Sequence, residues 1–82
     1  QTRFGWTALR TAARWGWLDV VSRLLEQEGL EVDQRDAQGR TPLFYAATHD
    51  HAAVVEALLV RGGADPQARD EDGRTARDVA QL

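Results

Sequence analysis

Two imidazoles and a carboxylate stand side by side at His49-Asp50-His51, and a metal site is the first chemistry they suggest. Zinc asks for about four ligands in a tetrahedron. Two histidines two positions apart, with one carboxylate between them, lack a credible further ligand, so the segment reads as a structural loop. Ser22 falls inside an expected helix with no base beside it, which argues against a serine nucleophile. The absence of cysteine removes thiolate, zinc-thiolate and disulfide chemistry together. Carboxylates are plentiful, but they fall on turns. Gly62-Gly63 ends a helix instead of opening one, so it does not cradle phosphate. No catalytic residue, cofactor or metal is expected.

What remains is the chemistry of recognition. Phe4, Trp6, Trp15 and Trp17 lie within fourteen residues, among Arg3, Arg10 and Arg14. Trp, Phe and Arg are the types most enriched where proteins bind one another. Arg10 and Arg14 are one helical turn apart and point the same way. Beside Trp6 and Trp15 they could grip carboxylates or phosphates. A plainer reading competes with this one: the rings shield an uncapped end, and the arginines form a solvated helix face.

The elements that would position these residues are written as a repeat. Thr7, Thr41 and Thr75 recur every 34 residues. At the same offset Val20-Val21 matches Val54-Val55, Leu24-Leu25 matches Leu58-Leu59, Gly29 matches Gly63 and Asp36 matches Asp70. A fixed period of this length predicts a solenoid in which each unit leans on its neighbour. Residues 1–6 read as the end of a hairpin-like loop, with Thr7 capping a helix over 8–15. Gly16 breaks it, and a second helix follows over 18–27, with Val20, Val21, Leu24 and Leu25 on one face and Gly29 closing it. A finger over 30–40 carries Asp36 and Gly39 as turn residues. Thr41-Pro42 restarts the pattern, with helices over 42–49 and 52–61 and Tyr45 packed between helices. A second finger spans 64–74, and a last helix starts near Thr75. Val79 and Leu82 are the apolar residues expected to be under-covered.

These residues resemble the ankyrin repeat. Asp36, Gly39, Thr41, Pro42, Leu43, Ala46, Ala47, His51, Val54, Val55, Leu58, Leu59, Gly63, Ala64 and Asp65 fit its pattern. Each unit has one residue more than usual, just before Gly29 and Gly63, and Phe44 stands where the family usually has His. The resemblance implies an all-α solenoid of helix-turn-helix units with projecting β-hairpin-like fingers. It divides one domain, 1–82, into repeat one (3–35), repeat two (36–69) and a partial terminal repeat (70–82). It also implies that His51 bonds backbone.

The family resemblance implies non-catalytic protein binding through finger tips and the inner helix face. Mapped here, that surface holds Arg3, Phe4, Trp6, Arg10, Arg14 and Trp15 in repeat one. It continues through Gln38, Arg40, Phe44, Thr48 and His49 to Asp72, Arg74 and Arg77. The expected partner is a protein or peptide with acidic and apolar residues. Trp6→Ala or Trp15→Ala should each cost binding on the order of 2 kcal/mol. Two other readings stay open. Open repeat ends could pair the chain with itself. Alternatively, Trp6, Trp15 and Trp17 could cage methylated lysine by cation–π attraction, or the fold could bind a nucleotide.

Composition sets the bounds. Eighty-two residues make one small domain, which buries only roughly 60–65% of its unfolded surface. The net charge of −3 is uneven: residues 1–25 carry +3 and the remaining 57 carry −6. That balance argues against a nucleic-acid binder, although repeat one can present a local basic face. No apolar run approaches the roughly 20 residues of a membrane span. Lys, Asn, Ile and Met are missing, which reads as coding bias. The chain has no initiator Met or signal peptide and reads as a piece of something longer. The lack of Cys suits the cell interior, cytoplasmic or nuclear.

Overall fold

Ala8 stands where repeat two has Pro42, and that difference sets where the first helix begins. The computed structural model describes residues 3–27 and 30–79. Helix α1 runs Arg3–Trp15, so it starts well before Thr7, and the loop expected over 1–6 is already helical from Arg3. In repeat two, Pro42 occupies the first helical position and holds Thr41 extended, at φ −97° and ψ 169°. Ala8 imposes no such restriction, so the helix extends backwards through Thr7, which is not a cap.

Four further helices follow: α2 Leu18–Leu25, α3 Pro42–Thr48, α4 Ala52–Val60 and α5 Ala76–Val79. Each of α2, α3 and α4 stops one or two residues before the end that periodicity suggested. The fold is an all-helical stack, and no strand forms among the described residues. Helix α1 packs on α2 and α3, α3 packs on α4 and α5, and α2 packs on α4. The inner row is therefore α1, α3, α5 and the outer row is α2, α4.

The core repeats with the sequence. Leu9, Ala12 and Ala13 of α1 match Leu43, Ala46 and Ala47 of α3, and all six are buried. Paired alanines let the two helices approach closely. Val21 of α2 meets Val54 and Leu58 of α4 in the outer row, all at 1% exposure or less. No helix among the described residues is long and apolar enough to cross a membrane.

Gly16 has φ +75°, the left-handed conformation that ends α1, and the Trp17 amide donates to Ala12 O at 2.9 Å. The position has a second constraint. A Cβ there would lie 2.6 Å from His51 Nδ1. The ring sits against the glycine, and its Nε2 is 3.0 Å from Arg14 O. His51 thus ties repeat two to the end of α1 through backbone, as the family pattern implied. Gly29 and Leu82 lie outside the described residues, and Val79 is half-buried.

The two fingers are built by the same atoms. The Asp36 amide donates to Arg40 O at 3.0 Å, and Asp36 Oδ1 accepts from the amides of Gln38 (2.9 Å) and Arg40 (3.0 Å). The Asp70 amide donates to Arg74 O at 2.9 Å, and Asp70 Oδ1 accepts from Asp72 (2.9 Å) and Arg74 (3.0 Å). The fingers are hairpin-like turns, joined by Glu71 N donating to Gln38 O at 3.2 Å.

Candidate functional site

Position 10 of repeat one, position 44 of repeat two and position 78 of the last repeat are equivalent in the 34-residue register, and the three residues do different work. Phe44 is 1% exposed, which corrects its expected place on the binding face. A benzyl side chain in the middle of an inner-row helix gains more from the core than from water. The Phe44 amide donates to Thr41 O at 3.0 Å, and Thr41 Oγ1 is buried with no partner among the described residues. Asp78 instead forms a capping box. Thr75 N donates to Asp78 Oδ2 at 2.9 Å, and Asp78 N donates to Thr75 Oγ1 at 3.3 Å. The Thr75 amide, outweighing burial, holds the Asp78 carboxyl below its usual pKa.

Arg10 becomes the hub of a joint between repeat one and the first finger. Its Cζ lies 5.2 Å from the Trp6 ring centroid and 6.0 Å from that of Tyr45. Its Nη1 is 3.7 Å from Asp36 Oδ2, which also accepts the Tyr45 hydroxyl. Trp6 is half-buried and donates from Nε1 to Gln34 O at 2.9 Å. Burial pushes the Asp36 carboxyl up, but the Tyr45 hydroxyl, the amides of Arg40 and Gln38 and the Arg10 charge together hold it below its usual range. Burial raises the Tyr45 pKa, and the bond to anionic Asp36 raises it further.

One turn along α1 the environment changes. Trp15 is 59% exposed, and Arg14 stacks its Cζ 5.4 Å from that ring. Arg14 forms no ion pair among the described residues. Between the joint and this lip lies a cavity of about 100 Å³ lined by Arg10, Thr11, Arg14, Trp15 and Tyr45.

The fingers carry Gln38, Arg40, Asp72 and Arg74, of which Gln38, Asp72 and Arg74 are exposed. Arg40 Nε is 4.0 Å from Asp70 Oδ2, and Arg74 Nη2 reaches Asp70 Oδ2 at 3.1 Å and Asp72 Oδ2 at 3.2 Å. The Arg74 amide contributes most to holding the Asp70 carboxyl below its usual pKa. Thr48, His49 and Arg77 are exposed. His49 stacks beside His51 with centroids 6.2 Å apart. No cluster of three or more metal-ligating side chains occurs among the described residues. The side chains of Arg3 and Phe4 lie outside the described residues.

The structure brings Trp6 to Arg10 and Arg14 to Trp15, but no ring contact joins Trp6, Trp15 and Trp17 among the described residues. Guanidinium groups already lie over the rings of Trp6 and Trp15, so the cage reading gains no support. A larger feature was missed. Beside α3, α4 and α5 opens an apolar groove of about 520 Å³, flanked by Val55, Leu59 and Val60. The signal was present, since Val55 and Leu59 repeat the core positions Val21 and Leu25.

A family model described as ankyrin repeats (3 copies) matches residues 1–70. An ankyrin repeat and LEM domain-containing protein 1 homolog of Caenorhabditis elegans is 46% identical over 63 residues, covering 77% of this chain and 9% of the relative. Rabankyrin-5 of Mus musculus is 36% identical over 75 residues, covering 92% and 6%. Neurogenic locus notch homolog protein 1 of Mus musculus is 41% identical over 73 residues, covering 89% and 3%. The chain thus spans less than a tenth of these relatives' length. The repeating helix pairs, the duplicated aspartate turns and these matches agree: the chain belongs to the ankyrin-repeat family, whose repeats generally act as non-catalytic protein-interaction modules.

Proposed function

We propose that the chain binds another protein through the Arg14–Trp15 lip of repeat one, extended by the outward side chains of the fingers. The observation that carries this reading is the state of Trp15. Its ring is 59% exposed, braced on one face by an arginine with no carboxylate partner among the described residues. An exposed indole beside an uncommitted guanidinium suits a segment with an apolar residue next to an acidic one. In this reading Gln38, Arg40, His49, Asp72 and Arg74 add polar contacts. Trp6 and Arg10 are committed to the joint with Gln34 and Asp36 and leave the lip as the exposed part of the cluster. Because Arg14 already stacks on Trp15, less side-chain freedom is lost on binding.

The test is affinity capture with the parent chain, Trp15→Ala and Arg14→Glu, each checked for helical circular dichroism. Partners held by the parent and lost from both variants support the lip. An unchanged partner set with both variants folded would place binding elsewhere.

A further inference from the structure

The cavity of about 100 Å³ beside the lip is walled by two consecutive inner-row helices. Arg10, Thr11, Arg14 and Trp15 stand at i, i+1, i+4 and i+5 on one face of α1, and Tyr45 of α3 forms the other wall. The two walls belong to neighbouring repeats, so the cavity is a property of the joint between them.

The repeat pattern does not require these residues. Thirty-four residues on, Arg10, Thr11, Arg14 and Trp15 become Phe44, Tyr45, Thr48 and His49, and Tyr45 becomes Val79. The joint between α3 and α5 therefore has no arginine at these places, and Phe44 is buried in the core there. Two cations on one helix face are peculiar to the first joint.

Arg10 is held in place without being fully paired. Its side chain is 35% exposed, and its Nη1 lies 3.7 Å from Asp36 Oδ2, longer than a hydrogen bond. Its Nε is buried with no hydrogen-bond partner among the described residues. Trp6 and Tyr45 offer it ring faces. An oxyanion in the cavity would bring acceptors to Arg10 and Arg14 together, and charge-assisted bonds to guanidinium are the strong ones.

Charge and size decide which oxyanion fits. Arg10 and Arg14 supply two positive charges and Asp36 one negative, which leaves one positive charge around the cavity. Asp36 is anionic at neutral pH, because its carboxyl is held below its usual range. A carboxylate cancels the remaining charge. A phosphate ester, at roughly −1.5 to −2, would leave excess negative charge beside Asp36. The volume equals about three waters at roughly 30 Å³ each, which is enough for a carboxylate and its last methylene.

We propose that this cavity seats one carboxylate side chain of the bound partner, gripped by Arg10 and Arg14, while an apolar neighbour of that residue lies on Trp15. The proposal rests on the lip as the binding surface and adds the position and chemistry of the acid that the lip receives. Arg10 then serves both the joint and the partner.

The probe is the capped tetrapeptide Gly-Leu-Glu-Gly, compared with Gly-Leu-Gln-Gly and Gly-Leu-phosphoserine-Gly. Each is titrated into the isotope-labelled 82-residue chain, and NMR follows the Nε–H signals of Arg10 and Arg14 and the indole N–H of Trp15. The glutamate peptide should shift all three saturably and bind about tenfold tighter than the glutamine peptide, as charge-assisted bonding implies. The phosphoserine peptide should bind no tighter than the glutamate peptide. Arg10→Gln and Arg14→Gln should each remove the preference for glutamate. Arg14 is exposed, so Arg14→Gln decides the matter should Arg10→Gln disturb the fold. Equal binding of the glutamate and glutamine peptides, no saturable binding of the glutamate peptide, or tighter binding of the phosphoserine peptide overturns the seat. The lip is scored separately with Trp15→Ala. Loss of leucine-peptide binding in that variant, with glutamate and glutamine equal in the parent, keeps the lip and removes the seat. A glutamate preference undiminished in Trp15→Ala keeps the seat and removes the lip.

Discussion

The Tyr45 hydroxyl donates to Asp36 Oδ2, while Asp36 Oδ1 closes the turn of the first finger. One carboxylate thus joins an inner-row helix to the finger that precedes it. Tyr45→Phe keeps the ring and removes the bond. It should cost about 1 kcal/mol, the usual net worth of such a bond. Urea unfolding at neutral pH measures it.

The same bond sets a pH window. The folded Asp36 pKa lies below the free-aspartate value of 3.8, so its contribution is complete above that value and is lost as pH falls through the folded pKa. The folded Tyr45 pKa lies above 10.0, so its contribution is complete below that value and is lost as pH rises through the folded pKa. Tyr45→Phe should therefore narrow the stability difference from the parent at both extremes. A difference independent of pH would show that the hydroxyl contributes without regard to the ionisation of Asp36.

Gly16→Ala meets two obstacles, a φ of +75° and the His51 ring at 2.6 Å. Gly73→Ala meets the positive φ alone, since nothing lies within 4 Å of its Cβ position. Gly73→Ala should cost about 1 kcal/mol and Gly16→Ala clearly more, about 2–3 kcal/mol. Thermal melts of the two proteins side by side separate strain from collision.

Two threonines at equivalent positions should respond oppositely to the same change. Thr41 has a buried hydroxyl with no partner among the described residues, whereas the Thr75 hydroxyl accepts from Asp78 N. Thr41→Val should be neutral or stabilising, because it removes an unpaired buried polar group. Thr75→Val breaks a cap and should cost about 1 kcal/mol. Denaturant midpoints for both variants provide the comparison.

Trp6 and Trp15 should also part company. Trp6→Ala removes an indole bond to Gln34 O and the platform under Arg10, so it should lower stability by about 1–2 kcal/mol. Trp15→Ala takes away a ring that is mostly in water and should leave the melting temperature almost unchanged. Scanning calorimetry decides between this division of labour and a shared one.

The period of 34 residues made the stack, the helix pairs and the aspartate turns legible, because each depends on neighbours close in sequence. The alanine pairs at 12–13 and 46–47 likewise announced a tight inner row. The start of α1 was not legible, because it turns on what Ala8 fails to forbid. Phe44 was misplaced because an exposed family position was carried over to a residue that favours the core. Trp6 and Arg10 were recognised as partners of something, but not of Gln34 and Asp36 within the same chain. That assignment required knowing that the first finger folds back beside α1. The groove stayed hidden because Val55 and Leu59 look in sequence like any other core pair.

Asp36 and Asp70 each give Oδ1 to the local turn, while Oδ2 takes partners that include an arginine of the preceding unit, Arg10 and Arg40, beside the closer Tyr45 and Arg74. Turn closure and docking of the preceding unit then share one group, so neither is complete alone. Hydrogen–deuterium exchange should find the amides of Arg40 and Arg74 opening together with the helices behind them. The fingers would report on the integrity of the whole array in the way a latch reports on a door.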